Sequence, residues 1–337
     1  MGRRRPGERK VADHVVAVLG TRYPDLSVEE GILGPLGVRL VSGDGGSSDA
    51  IAEIAADADV LLLSSRPRIT DEVLAHLDCR GIVRYGIGVD AIDLEAAWRR
   101  GIWVARVTTY GTEAVAVHAL ALALAGFRRI VASDRWVRDG NWGFEHLRPL
   151  HLPSASVAGV VGYGRIGRYM AGLLSSVGFR VLVHDPFVTE IDERHELVED
   201  LGDLVARSDV VSLHVPGSPD GRPLVDANLL ARFRPGSVLV NTARGSLIDA
   251  DALVAALAAG APGVAALDVF PREPVDPSVF ASVGDRMILT PHTSWYSEES
   301  EHDLRVKASH AAAALLRGER PEEVVVDPAS PEAPTGA

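Results

Sequence analysis

Short apolar runs recur along the chain at intervals that suit strands alternating with helices. Runs at 14–19, 38–41, 60–63, 82–85 and 102–105 are separated by segments, such as 49–56 and 71–77, with helical spacing. Continuous apolar runs this short suit strands buried on both faces of a parallel sheet. A long apolar helix is expected at 113–127. The strand pattern then restarts at 157–161, 180–184, 210–214, 238–241, 264–267 and 287–289. This alternation predicts an α/β protein of two doubly wound parallel-sheet, Rossmann-like domains with a cleft between them. Segment 136–153 is rich in Trp, Arg, Pro and His, follows neither period, and reads as an arm that packs on another subunit. Residues 327–337 are rich in Pro, Ala and Gly and read as disordered.

Composition narrows the function classes. The 337 residues are 47% hydrophobic and 24% charged, as in a soluble globular protein large enough for two cores. A net charge of -12 argues against nucleic-acid or anionic-membrane partners. The start is the exception: Arg3, Arg4, Arg5, Arg9 and Lys10 form a basic tail, read as a disordered leader. The segment after it, interrupted by Asp13 and His14, reads as a first strand rather than a secretory apolar region. No apolar run approaches the ~20 residues of a membrane helix. Cys79 is the single cysteine, which excludes an intrachain disulfide and a cysteine zinc cluster and points to a reducing cytoplasm. No metal site is expected.

The most informative stretch is Gly162-Tyr163-Gly164-Arg165-Ile166-Gly167, between the 157–161 run and a helical pattern over 170–177. Gly162 permits a tight turn, Gly164 lets a pyrophosphate approach the backbone, and Gly167 lets helix pack on strand. The helix start offers free N–H groups to phosphates. The next strand run ends at Asp185, suited to a ribose diol; its carboxylate repels a 2′-phosphate, so NAD is expected over NADP. Further polar residues follow strand runs, where such sheets bind ligands. Thr242-Ala243-Arg244-Gly245 follows 238–241. Asp268 to Pro274 follows 264–267, and Pro291-His292-Thr293-Ser294-Trp295 follows 287–289. A guanidinium can grip a carboxylate through two hydrogen bonds, and an imidazole can pass a proton near neutral pH. A carboxylate beside the imidazole would orient it and favour its charged form. Arg244, His292 and Glu273 thus supply the parts a carbonyl reduction requires. Taken singly, each also reads as loop or surface polarity.

The segments VGYGRIGR, VNTARGSLID, ALDVFPREP and LTPHTSWYSEES resemble those of the D-isomer-specific 2-hydroxyacid dehydrogenases, over about residues 82–319. The resemblance implies that Arg244 binds the substrate carboxylate and carbonyl, and that His292 is the acid/base paired with Glu273. It adds Ile87 and Gly88 as backbone donors to the carboxylate, Arg84 and Trp295 as substrate contacts, and Arg165, Ile166, Val215, Thr242, Ala243 and Asp268 on the cofactor side. Asp268 reads equally as a strand-end cap. The motifs are most similar to the C-terminal-binding-protein and phosphoglycerate dehydrogenase branches. Ala91, where asparagine is common, and Val117, where an acid usually precedes His118, depart from the pattern. The implied division is a substrate domain of 11–111 with 299–328, an NAD domain of 112–298, and tails at 1–10 and 329–337. A homodimer is implied, and with no regulatory domain after residue 330, a feedback-controlled long form is not expected.

Two other functions stay open. One is an NAD(H)-sensing dimeric scaffold of the corepressor kind. The other is a dehydrogenase for a phospho- or phosphono-substrate, with Arg84, Arg66 or Arg68 reading the second anion.

Overall fold

The computed structural model describes residues 14–21, 23–218 and 221–334. The basic tail lies outside them. The chain divides into two compact units, one running to Gly111 and resuming at Ser297, the other Thr112–Tyr296.

The first unit opens with β1 (Val15–Leu19), α1 (Ser27–Leu33), β2 (Arg39–Gly43), α2 (Ser48–Ala55), β3 (Val60–Leu63), α3 (Asp71–Ala75), β4 (Gly81–Arg84), α4 (Leu94–Arg99) and β5 (Trp103–Arg106). The second unit begins with α5 (Thr112–Phe127) and α6 (Ile130–Arg138). Its sheet is built from β6 (Val157–Val161), α7 (Arg165–Val177), β7 (Arg180–His184), β8 (Glu196–Leu197), α8 (Leu201–Arg207), β9 (Val210–Leu213), α9 (Ala227–Leu230), β10 (Val238–Asn241), α10 (Ala250–Ala259), β11 (Val264–Leu267) and β12 (Met287–Leu289). The chain returns to the first unit through α11 (Glu298–Leu316) and β13 (Val324–Val326).

Strand order is β13-β5-β4-β3-β1-β2 in the first unit and β12-β11-β10-β9-β6-β7-β8 in the second. All pairings are parallel except β13 on β5, an antiparallel edge the sequence reading did not include. The central strands of both sheets are lined by Val, Leu, Ile and Ala with almost no exposure, in keeping with helices covering both faces, while the edge strands β2 and β8 are more exposed. In the second sheet the chain runs from β6 outward to β7 and β8, then crosses back to β9 beside β6. That reversal leaves the carboxyl ends of β6 and β9 as the place where such sheets bind ligands.

The arm at 136–153 contains the end of α6 and two single-turn 3₁₀ segments, Glu145–Leu147 and Pro153–Ala155. Trp142, at 88% exposure, Phe144 and Leu152 stand out from it. The tail is held at least in part: the Trp98 indole Nε1 donates to the Ser330 carbonyl at 3.1 Å, so the composition-based reading of disorder does not extend to that turn. No single helix among the described residues is long and apolar enough to cross a membrane.

Candidate active site

The glycine turn sits between β6 and α7. Gly162 has φ +91, and a Cβ there would lie 2.6 Å from the His214 carbonyl oxygen, so a side chain is excluded by both backbone and neighbours. A Cβ on Gly167 would lie 1.9 Å from the Gly162 oxygen, which is how closely α7 packs on the turn. Gly164 is the N-cap of α7, makes no side-chain cap, and has nothing within 4 Å of where a Cβ would stand. Open space over uncapped helix N–H groups suits a pyrophosphate. Arg165 is exposed, Ile166 is half-buried, and Val215 closes over Gly162 from the end of β9.

Asp185 follows β7 directly. Its Oδ2 accepts from the Tyr163 N–H at 2.7 Å and its Oδ1 from the Phe187 N–H at 2.9 Å. A carboxylate has about four acceptor positions, so two remain for a ribose diol. Arg194, the cation of the following loop, is gripped by Asp192 through bonds of 2.9 and 2.6 Å. At the carboxyl end of β10, the buried Thr242 Oγ1 has no hydrogen-bond partner among the described residues. A pyrophosphate-sized opening, an oriented carboxylate and an unpartnered buried hydroxyl fit a dinucleotide.

Arg244 lies two residues beyond Thr242. Asn241 shapes its turn: Nδ2 donates to the Arg244 carbonyl at 2.8 Å, and Oδ1 accepts from the Ala243 N–H at 3.0 Å. Gly245 then meets the turn after β11 so closely that a Cβ would lie 1.9 Å from the Phe270 carbonyl carbon. The Phe270 N–H donates to Glu273 Oε1 at 3.0 Å, and Glu273 Oε2 pairs with His292 Nδ1 at 2.7 Å. The three residues singled out from sequence are therefore linked through two backbone contacts, Gly245 on Phe270 and Phe270 on Glu273. Burial pushes the Glu273 carboxyl up, but the His292 imidazole and the Phe270 N–H together outweigh it and leave the group below its ordinary range.

His292 adopts φ +57, a left-handed backbone rare for a residue with a Cβ. The surroundings hold it there. Its N–H donates to the Asp268 carbonyl at 2.9 Å, and the two following N–H groups, of Thr293 and Ser294, donate to the Asp268 carboxylate at 2.9 Å each. The Thr290 hydroxyl adds a third donor at 2.6 Å and meets His118 Nε2 at 3.1 Å. Burial raises the Asp268 carboxyl, and these donors more than reverse it, keeping it ionised below its usual range. The carboxylate is enclosed and occupied with the loop that aims His292.

Ala243 and Trp295 are half-buried, and the Trp295 ring meets Tyr296 edge-on at 5.7 Å between centroids. Arg84, Ile87 and Gly88 belong to the first unit. There Arg84 at the end of β4 is level with Arg106 at the end of β5, and Arg106 Nη1 donates to the Ile87 carbonyl at 3.4 Å. Behind that loop lies a buried cluster the sequence did not reveal. Arg305 of α11 binds Glu29 of α1 through bonds of 3.0 and 2.7 Å, and the Tyr85 hydroxyl donates to the same carboxylate at 2.9 Å. Glu29 and Arg305 lie 276 residues apart, so only the folded unit pairs them. Asn241 and Gly245 escaped notice too, although a polar residue ending an apolar strand and a glycine after an arginine are visible signals. Among the described residues no group of three His, Cys, Asp or Glu side chains could hold a metal ion.

Fold and turn together define a dinucleotide-binding α/β protein. Residues 120–294 match the family model of the D-isomer specific 2-hydroxyacid dehydrogenase NAD binding domain. The chain belongs to the D-isomer specific 2-hydroxyacid dehydrogenase family, and its cofactor is NAD. It is 34% identical over 282 residues to a glyoxylate reductase of Thermofilum pendens, covering 80% of this chain and 81% of that one. It is 35% identical over 313 residues to a D-3-phosphoglycerate dehydrogenase of Mycobacterium tuberculosis, covering 92% of this chain and 56% of the relative. The chain thus spans little more than half the length of the phosphoglycerate dehydrogenases it matches. Among solved structures, a Thermus thermophilus protein superposes with a TM-score of 0.84 at 32% identity, covering 92% of this chain and 100% of that one.

Proposed function

We propose that this protein interconverts a 2-keto acid and a D-2-hydroxy acid, with Arg244, Glu273 and His292 as its working residues. NAD, when bound along the glycine turn, supplies the hydride chemistry. Arg244 receives the substrate carboxylate through its guanidinium fork. Glu273 accepts from His292 Nδ1 and so orients the ring, which leaves Nε2 to deliver a proton to the alkoxide as it forms. In oxidation Nε2 takes the proton back. Asp268 holds the backbone that aims the imidazole. Gly162, Gly164, Arg165, Ile166, Gly167, Asp185, Val215, Thr242 and Ala243 form the cofactor side, and Arg84, Ile87, Gly88 and Trp295 are further substrate-binding candidates. The arm with Trp142 and Phe144 exposed is the surface through which a homodimer would form.

The observation that carries this reading is the 2.7 Å His292–Glu273 contact, tied through Phe270 and Gly245 to the Arg244 turn on an NAD-binding sheet. The test is NADH oxidation against a panel of 2-keto acids that includes glyoxylate and 3-phosphohydroxypyruvate. The reading expects turnover on at least one of them within the ordinary enzyme range of roughly 1–10³ per second. Tight NADH binding with no turnover on any member would replace it with the scaffold function.

A further inference from the structure

We propose that Tyr163 is a positioning residue for the ribose end of the NAD site, its hydroxyl pinning the loop after Asp185 to the glycine turn through His195. The proposal rests on the NAD reading of that turn and adds a residue to it.

Tyr163 stands between Gly162 and Gly164 and is 4% exposed. Each of its polar groups is tied to a different part of the site. Its N–H donates to Asp185 Oδ2 at 2.7 Å, and its carbonyl accepts from Arg168 Nε of α7 at 2.9 Å. Its hydroxyl lies 3.2 Å from His195 Nδ1 and accepts from the Asp192 N–H at 3.4 Å. His195 Nε2 in turn lies 3.1 Å from Ser175 Oγ on α7. The Arg168 guanidinium covers the ring, 5.2 Å from its centroid.

Either neutral tautomer of His195 satisfies this chain: Nδ1 accepts from the Tyr163 hydroxyl while Nε2–H donates to Ser175, or Nδ1–H donates to the Tyr163 oxygen while the Ser175 hydroxyl donates to Nε2. Residues 186–195 carry no helix or strand, and Val188 and Ile191 pack on the core beneath them. Apolar packing sets how deep a loop lies but is non-directional, whereas hydrogen bonds fix its orientation. Tyr163 and His195 carry side-chain bonds that join this loop to the glycine turn and to α7. Asp185, which would receive the ribose hydroxyls, sits at the loop's start and is itself oriented by the Tyr163 N–H. A phenylalanine would fill the same space and pack equally well, so the hydroxyl is what the proposal concerns.

The test is Tyr163→Phe, with NADH affinity read by fluorescence titration and ADP-ribose and nicotinamide mononucleotide as competitors. NADH and ADP-ribose should bind about three- to tenfold more weakly, the worth of one or two lost hydrogen bonds, with nicotinamide mononucleotide unchanged. His195→Ala should weaken the same two ligands, and the double variant should lose no more than the larger single effect, because one chain is being cut twice. If Tyr163→Phe lowers the urea midpoint while NADH affinity stays within about twofold of wild type, the hydroxyl only stabilises the fold and the proposal is wrong. If Tyr163→Phe does not fold, His195→Ala decides by the same criterion. Failure of the wild-type protein to bind NADH would overturn the cofactor reading, and this one with it.

Discussion

His292–Glu273 in one unit and Arg305–Glu29 in the other are both short contacts between a basic side chain and a carboxylate in parallel α/β units, but their settings are opposite. The first pair closes at 2.7 Å with side chains 45% and 37% exposed, on loops beyond strand ends. The second closes at 2.7 Å with side chains 6% and 0% exposed, between two helices. An exposed pair on loops contributes little to folding but can exchange protons and meet a ligand. An enclosed pair does neither, and removing one partner strands the other charge in the interior. The same contact distance therefore suits the proposed proton transfer in one place and architecture in the other, and the difference between them is burial.

Mutating the two arginine- and histidine-bearing pairs should separate activity from stability. His292→Ala is expected to lower kcat by about 10²–10⁴-fold while NADH affinity and the urea midpoint stay put. Unchanged turnover would remove the histidine from the mechanism. Arg305→Met is expected to cost about 3–5 kcal/mol of unfolding free energy by leaving Glu29 unpaired. A loss below about 1 kcal/mol would mean that water reaches that carboxylate.

Smaller effects sharpen the contrast within the NAD-binding unit. Asp185→Ser should reduce the preference for NAD over NADP, in kcat/KM, by at least about fivefold. The removed repulsion is worth from ~1 kcal/mol in water to ~4 at an effective dielectric of 20. An unchanged ratio would place 2′-phosphate rejection elsewhere. The mildest effect is on pH. Burial pushes the His214 imidazole from 6.5 down to about 4. The unfolded chain then binds a proton that the folded chain refuses, so stability is present in full above about pH 6.5 and is lost as pH falls toward 4. The slope for one such group is at most about 1.4 kcal/mol per pH unit, and urea midpoints across that window should show a flatter profile for His214→Gln.

Strands were the most legible part of this chain. Those at 157–161, 180–184, 238–241 and 264–267 coincide with their apolar runs because burial on both faces leaves no polar residue inside them. Helices were harder. Ala250–Ala259 is so rich in Ala and Leu that it shows no polar face, and Ile130–Arg138 falls in a stretch crowded with arginines and aromatics. The glycine turn could be read because the backbone there leaves no room for a Cβ at Gly162 and Gly167, and Arg244, Glu273 and His292 stood out because each follows an apolar strand run. What stayed hidden depends on distant partners. Glu29 looks like any first-turn acid of a helix and Arg305 like any exposed helical base until α1 and α11 meet. Asp268 could be read as either a ligand contact or a cap, and its donors from Thr290, Thr293 and Ser294 come from a loop whose course the sequence does not show.

Gly245 has a consequence for anyone redesigning substrate preference. Because no atom fits between it and the Phe270–Pro271 backbone, the stretch bearing Arg244 and the stretch bearing Glu273 are held together as one block. Libraries that vary either stretch alone will mostly sample broken alignments. Fruitful diversity lies in side chains that border this block without shifting it.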